Sequence, residues 1–244
     1  MFRIFRKIRM EQMKGQRFIR YLLYAFGEIV LVVLGILIAL YLNEQKEYRE
    51  DRAKELTYLQ SFQQDLERNL TELDRVLEKS NNIIQSSDSL LALGSEGLSA
   101  LPSGSLNSLM DGLLGYTKHM TRQGTIEDLL GSGDLEVIRN DTIRRAMATW
   151  DADLKLVREV EVDVKDSFSK TIDYLNQHIL MLDDPRTAFE KEQLLSKRVF
   201  LNHLFDRAIT AELLNESYAQ LKPAWTSLHS EVISEIQNLE KETD

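Results

Sequence analysis

The chain has 244 residues, no cysteine, three prolines and a formal net charge of −9. The absence of cysteine excludes disulfides and thiolate metal sites, and the few prolines and aromatic residues favour helices over a β-sandwich. The charge is divided unevenly, because residues 1–20 carry a net charge of +6 whereas residues 43–244 carry 37 acidic and 23 basic side chains. Such an acidic body argues against a nucleic-acid partner, since phosphates are bound by basic surfaces.

Residues 1–20 form a basic arm, whose cations are Arg3, Arg6, Lys7, Arg9, Lys14, Arg17 and Arg20. Its apolar residues fall on one side of a helix, a pattern typical of a helix that lies in the headgroup plane; a disordered basic tail is the alternative. In both cases the seven cations are predicted to contact anionic headgroups of the lipid bilayer. Basic segments next to a membrane span stay in the cytoplasm, so the amino terminus is predicted to lie inside and the acidic body outside.

Residues 21–42, YLLYAFGEIVLVVLGILIALYL, contain a single charged side chain, Glu28. As a helix they reach ~33 Å, enough to cross a hydrocarbon core of ~30 Å. A cleaved signal peptide is the rival interpretation, but its apolar region is only ~7–15 residues long and ends in a small-x-small site. The segment lacks that site, so we expect a retained single-pass anchor, with residues 43–244 outside the cytoplasm, which in a two-membrane bacterium is the periplasm.

Within this anchor Glu28, Val32, Gly35 and Ala39 share one helical stripe. Small residues four positions apart allow two helices to approach closely in lipid. The Glu28 carboxyl has three interpretations: a snorkelling or protonated bystander, a helix–helix contact, or a group that moves ions or protons. The stripe is predicted to be a helix-packing face, with a second copy of the chain or another membrane protein as the partner.

Two stretches resemble an uncharacterised family of Bacteroidota single-pass inner-membrane proteins. FRKIR (Phe5 to Arg9) and YLLYAFGEIVLVVLGILIALYLNE (Tyr21 to Glu44) are similar to the family's anchor, YLLYAxGEIxLVVxGILIAL. TIEDL, SGDL and IRN between Thr125 and Asn140 are similar to its SGxLxxIxN segment, although Trp150-Asp151 stands where a tyrosine pair is common. The resemblance implies an inner-membrane anchor and a helical outer domain, and it implies no activity, because the family is a domain of unknown function.

After the anchor, an amphipathic stripe at spacings of three and four predicts a helix over about residues 43–93, followed by a glycine- and serine-rich loop from Gly94. The stripe consists of Leu56, Leu59, Phe62, Leu66, Leu70, Leu73, Leu77 and Ile84. Two short helices are predicted within residues 106–138. The first spans Leu106 to His119, and the second begins with Thr125 as its N-cap and ends at a left-handed Gly133.

Two further long helices are predicted at about residues 142–182 and 187–240. Asn140 or Asp141 caps the first, and Pro223 is expected to kink or divide the second. The stripe of the last helix includes Leu204, Ile209, Leu213, Tyr218 and Trp225. We therefore expect an all-α fold, an elongated antiparallel, coiled-coil-like bundle. The chain runs out from the membrane, back, and out again, while the short helices cover one end.

The sequence contains no motif for catalysis, metal binding or cofactor binding. His119, His178, His203 and His229 belong to no zinc or di-iron pattern and are predicted to be surface or boundary residues. GSGDLE lacks the third glycine of a dinucleotide fingerprint. The predicted function is a membrane-anchored interaction or scaffold subunit, not an enzyme. The alternative is a sensor-like ligand-binding bundle coupled through the span to a membrane or cytoplasmic partner, and it requires a cavity with convergent charges.

Overall fold

The structure, a computed structural model, describes the backbone of residues 2–178 and 197–243. Met1, residues 179–196 and Asp244 lie outside the described residues, as do the side chains of residues 2–19, 95–96, 98–100, 103–104, 107 and 243. The described elements are α1 (Phe2–Ala100), α2 (Ser103–Leu113), α3 (Gly124–Ser132), the 3-10 helix η1 (Asp134–Val137), α4 (Asp141–His178) and α5 (Arg198–Thr243). No strand occurs among them. The all-α prediction is confirmed.

The chain forms two compact units, Met1–Lys54 and Glu55–Asp244. In the first unit, every side chain of residues 21–42 is exposed. This part of α1 belongs to the one described helix that is long and apolar enough, by length and composition, to cross a membrane. We refer to the second unit as the helical body. The length and apolar character predicted for the anchor are confirmed.

The direction of each helix in the helical body follows from the register of its contacts. Trp150 of α4 stacks on Trp225 of α5, whereas Tyr174, later in α4, stacks on Phe200, earlier in α5. These two helices therefore run in opposite directions. The same register relates α1 to α5: Ser80 donates a hydrogen bond to the Ala211 carbonyl at 2.8 Å, and Glu67, earlier in α1, contacts the later His229.

It follows that α1 and α4 run in the same direction. Glu55, near the start of the helical body, accepts a hydrogen bond from the Arg139 amide, and Phe62 packs edge-on against Trp150. The predicted path, in which the helix after Asp141 returns towards the membrane and the last helix leaves again, is therefore wrong. The apolar stripes of the three helices agree with the prediction in outline. A stripe has the same period in both chain directions, so it does not predict which way a helix runs.

The segment between α1 and α4 carries the chain back along α1. Gly112 of α2 lies against Ser86, Arg122 is bonded to Asn69, and Arg139 is bonded to Glu55. These contacts span 31 residues of α1, or ~46 Å. The prediction that the short helices cover one end is therefore wrong. Residues 114–123 form no helix, and an extended chain covers about twice the distance per residue of a helix.

Helix ends agree with the sequence in part. Gly133 ends α3 in the left-handed conformation, with φ of 78°, as predicted. Asn140 caps α4, because its Oδ1 accepts hydrogen bonds from the two amides at 142 and 143, at 3.0 and 3.2 Å. Thr125 is not the N-cap of α3, which begins one residue earlier and has Gln123 at that position. Pro223 lies inside α5 and does not divide it, because α5 is one helix throughout.

The core of the helical body contains most of the predicted stripe residues. Leu59, Phe62, Leu66 and Leu73 of α1 pack in one cluster with residues of α4 and α5, and a second cluster surrounds Leu90, Leu113 and Phe200. The stripe predicted for α5 is wrong in one place. Ile209 and Leu213 are 38% and 46% exposed, and Arg207, Ala211 and Leu214 face the core instead. A pattern of apolar residues does not predict a buried arginine at position 207.

Candidate functional site

Several buried or half-buried polar side chains of the helical body bind residues 114–123, which we call the extended segment, or the residue next to it. A helix pairs its own backbone groups, whereas an extended stretch must find other partners for its amides and carbonyls. Leu113, Thr117 and His119 are buried at or next to this segment. The side chains that bind its backbone come from α1, α4 and α5.

Glu161 of α4 and Tyr218 of α5 bind the amide of His119. The His119 N–H donates to Glu161 Oε1 and to the Tyr218 hydroxyl oxygen, both at 2.9 Å. The Tyr218 hydroxyl in turn donates a short hydrogen bond to Glu161. Tyr218 is fully buried, and burial raises its pKa well above the usual range. The hydroxyl therefore stays protonated and remains a donor to the carboxylate.

The His119 imidazole is held in its neutral form. Its Nε2 lies 3.0 Å from the Asn69 carbonyl oxygen, and its Nδ1 lies 2.9 Å from Thr121 Oγ1. A carbonyl oxygen only accepts, so Nε2 carries the proton and Nδ1 accepts from the threonine hydroxyl. Burial lowers the pKa of His119, which favours this neutral state. The ring packs against Trp225, with centroids 5.3 Å apart.

Asn69 of α1 binds both backbone groups of Arg122. Its Nδ2 donates to the Arg122 carbonyl at 2.7 Å, and its Oδ1 accepts from the Arg122 amide at 2.6 Å. This is the pattern by which a neighbouring β-strand would bind the same residue. One turn earlier in α1, Asp65 Oδ2 accepts from the Thr125 hydroxyl at 2.7 Å and from its amide at 3.2 Å. The two α1 side chains thereby fix the end of the extended segment.

Arg207 of α5 binds the other end. It is fully buried, and its guanidinium donates to the Leu113 carbonyl at 3.2 and 3.3 Å and to the Gly115 carbonyl. These carbonyls follow the C-terminal end of α2, where the helix dipole favours a cation. Burial lowers the pKa of Arg207 to about 10, so the side chain is charged at neutral pH. Its guanidinium carbon lies 5.5 Å from the centroid of the Phe168 ring, which adds a cation–π contact.

This network is suited to holding the extended segment in place. Four side chains form hydrogen bonds to backbone groups of the segment or the residue next to it, and these are Asn69, Glu161, Arg207 and Tyr218. These donors and acceptors therefore bind the protein's own chain. The described residues contain no group of three or more histidine, cysteine or carboxylate side chains placed to hold a metal ion. The arrangement therefore ties the extended segment to α1, α4 and α5, although two buried atoms, Arg207 Nη1 and Thr117 Oγ1, have no hydrogen-bond partner among the described residues.

A groove of about 560 Å³ lies between α4 and α5. Trp150 and Trp225 line it and stack on each other, with ring centroids 5.0 Å apart and an interplanar angle of 8°. Two charged side chains line the groove, Asp153 of α4 and Glu231 of α5, and the other lining residues are uncharged. The groove is open to solvent, so it offers an elongated apolar surface with two carboxylates at its edge.

The structure places the predicted packing face on an exposed part of α1. Glu28, Val32, Gly35 and Ala39 are exposed, and a Cβ atom added at Gly35 would meet nothing within 4 Å. Of the seven arm cations, Arg20 is exposed, and the side chains of the other six lie outside the described residues. The packing face and the headgroup contacts therefore remain predictions.

Sequence reasoning missed the buried network. His119 is 6% exposed, so its assignment as a surface or boundary residue is wrong, whereas His178, His203 and His229 are exposed or half-buried as predicted. A signal for the network did exist. Asn69, Glu161 and Arg207 occupy positions where the apolar stripes would place a hydrophobic side chain, and a polar residue at a core position indicates a specific partner.

Comparison with known proteins gives one match. Residues 28–99, which lie within α1, match a family of unknown function (DUF6090). Searches of curated proteins and of solved structures found no significant match. The part of the chain that the structure describes is all-helical and contains one helix that is long and apolar enough to cross a membrane. Its first long helix is similar to an uncharacterised domain.

Proposed function

We propose that this protein is a membrane-anchored interaction subunit of the bacterial inner membrane, in the Bacteroidota. The apolar residues 21–42 of α1 are its single span, the basic arm lies in the cytoplasm, and the helical body forms a bundle in the periplasm. The observation that carries the proposal is the complete exposure of this apolar stretch, which places 21 uncharged side chains and one carboxyl where only lipid or another helix suits them.

The buried polar groups support an interaction role over a chemical one. A general base or nucleophile needs a lone pair facing a substrate, whereas Glu161 Oε1 and the Tyr218 hydroxyl bind each other and the His119 amide, and both imidazole nitrogens of His119 have partners. The sensor alternative requires charges that converge on a cavity. The groove between α4 and α5 has two carboxylates and otherwise uncharged walls, so it favours an apolar protein surface over a small charged ligand.

The subunit associates through the stripe of Glu28, Val32, Gly35 and Ala39. In lipid there is little hydrophobic gain from pairing helices, so close backbone approach and polar contacts supply the attraction. Gly35 offers open space on α1 for such an approach. A second copy of the chain supplies the same stripe, and a carboxyl in lipid gains from a polar partner.

Cross-linking through single cysteines tests this association, since the chain has no cysteine of its own. In native membranes, cross-linking is expected to peak at positions that flank Gly35 and Ala39. Gly35→Leu should abolish the peak, because the added side chain separates the backbones. Gly27→Leu is the matched control, because Gly27 lies ~80° away from Gly35 around the helix and also has nothing within 4 Å. Even cross-linking around the whole helix, or equal effects of the two variants, would refute the packing face.

Orientation is tested by a reporter that is active only outside the cytoplasm, fused after Asp244. The fusion is expected to be active in the intact protein. Exchange of the seven arm cations for glutamine should scramble the orientation and reduce the activity, because these cations hold the amino terminus inside. An inactive fusion to the intact chain would contradict the periplasmic placement of the helical body.

A further inference from the structure

We propose that the groove between α4 and α5 binds a cationic amphipathic helix of a partner protein. The inference rests on the proposed role as an interaction subunit and specifies the chemistry of the partner. It is carried by the shape of the groove, by the charge at its edge and by the spacing of its two carboxylates.

The shape of the groove fits one face of a helix. Its lining residues extend over 142–157 of α4 and 217–231 of α5, a length of ~22 Å, or about 15 residues of a partner helix. A volume of about 560 Å³ over that length suits one row of side chains. Small residues, Ala146, Ala224 and Ser227, keep the groove open, and the exposed Leu156 stands beside it. A ridge of apolar side chains packs into such a groove.

The charge at the edge selects a cationic occupant. Asp153 accepts a hydrogen bond from Thr149 at 2.9 Å, and Glu231 accepts one from Asn140 at 3.0 Å, but neither carboxylate forms an ion pair with a described residue. Lysine or arginine side chains on a partner would neutralise both. A second copy of this chain would bring the same two carboxylates, and residues 43–244 carry a net charge of −14, so like charges oppose self-association through this face.

The spacing of the carboxylates specifies the partner further. Trp150 and Trp225 stack at the same level, and Glu231 lies six residues beyond Trp225, which in antiparallel register is the level of residue 144 of α4. Asp153 is nine residues from that level, or ~13 Å along the groove. The partner helix is therefore expected to carry basic residues on its two opposite flanks, about nine positions apart, on either side of an apolar stripe.

The test uses the intrinsic fluorescence of the full chain in a neutral detergent. Trp150 and Trp225 are the two tryptophans of the chain, and both line the groove, so the whole tryptophan signal reports on it. The probe is a synthetic helical peptide of about 16 residues with a leucine stripe and a lysine on each flank at the spacing above. The control peptide has glutamates in place of the lysines. We expect the lysine peptide to bind saturably and the glutamate peptide not to bind. Added salt should weaken the binding of the lysine peptide.

Two sets of variants test the shape of the groove and its charge separately. Ala224→Leu fills the groove and should weaken binding at least tenfold, whereas Ala219→Leu, an alanine of α5 that does not line it, should leave binding unchanged. Asp153→Asn combined with Glu231→Gln should weaken binding and remove its salt dependence.

Three outcomes would overturn the proposal: equal binding of the two peptides, no effect of Ala224→Leu, or an oligomer that dissociates in Ala224→Leu without any peptide binding. The last outcome would assign the groove to a second copy. Cross-linking through the span is measured separately, so the membrane-anchored association and the docking of a helix can fail independently.

Discussion

Replacement of Asn69 by leucine tests whether side chains of the long helices hold the extended segment. Asn69→Leu removes both hydrogen bonds to the backbone of Arg122, at 2.6 and 2.7 Å, and leaves an amide and a carbonyl without a partner. A buried polar group that loses its partner costs ~1–3 kcal/mol. Both bonds are only partly buried, so we expect the free energy of unfolding to fall by about 2–4 kcal/mol.

Urea unfolding of the full chain in detergent, followed by tryptophan fluorescence, measures this change, because both tryptophans lie in the helical body. Asn81→Leu is the matched control. Asn81 is an exposed asparagine of the same helix, and its side chain accepts a hydrogen bond from Asn215 at 2.6 Å that water can replace. It should cost less than ~1 kcal/mol. Equal destabilisation by the two variants would refute the claim that Asn69 secures the extended segment.

Three further predictions concern single positions. Gly112→Ala should lower stability, because its Cβ would meet Ser86, 2.9 Å from that residue's Cβ; Gly131→Ala, with nothing within 4 Å, should raise stability by up to ~1 kcal/mol in the same denaturation assay. Burial lowers the pKa of His119 from its ordinary 6.5, so its contribution to stability is present above pH 6.5 and lost as pH falls towards the lowered pKa. His119→Gln should flatten that part of the dependence of the unfolding midpoint on pH. Arg207→Met should cost about 2–4 kcal/mol by leaving its carbonyl partners unpaired. Arg207→Lys should be almost as unstable as Arg207→Met, since one ammonium group cannot reproduce the hydrogen bonds of the guanidinium to both carbonyls. A melting temperature of Arg207→Lys equal to that of the unmodified chain would contradict this.

The sequence predicts the helices well because their stripes follow directly from the helical period. Leu59, Phe62, Leu66 and Leu73 are all buried as their spacing indicates. The left-handed Gly133 is likewise predicted from local chemistry alone, since a glycine directly after the last turn of a helix is typical of a C-terminal stop. Both features are predictable because each depends only on residues that are close together in the sequence.

The path of the chain and the buried network depend on distant residues, so the sequence does not reveal them. The helix predicted over Leu106 to His119 ends at Leu113, and nothing in residues 114–123 indicates that they run alongside α1. Asn69, Glu161 and Arg207 are polar residues whose partners are backbone groups, and a backbone group has no sequence signature. A polar residue at a core position thus indicates that a partner exists, but it does not identify the backbone group that is the partner.

The parallel course of α1 and α4 has a consequence for how the protein is made. Because α5 is the last helix of the chain and packs along α1, the contact between Glu67 and His229 joins residues 162 positions apart. At a synthesis rate of ~5–20 residues per second, the part of α5 that contacts α1 is made roughly 8–30 s after the part of α1 that it contacts. During that interval the part of the α1 stripe that α5 covers is without this cover. The core of the helical body is therefore completed only after α5, the last helix to be synthesised, has emerged.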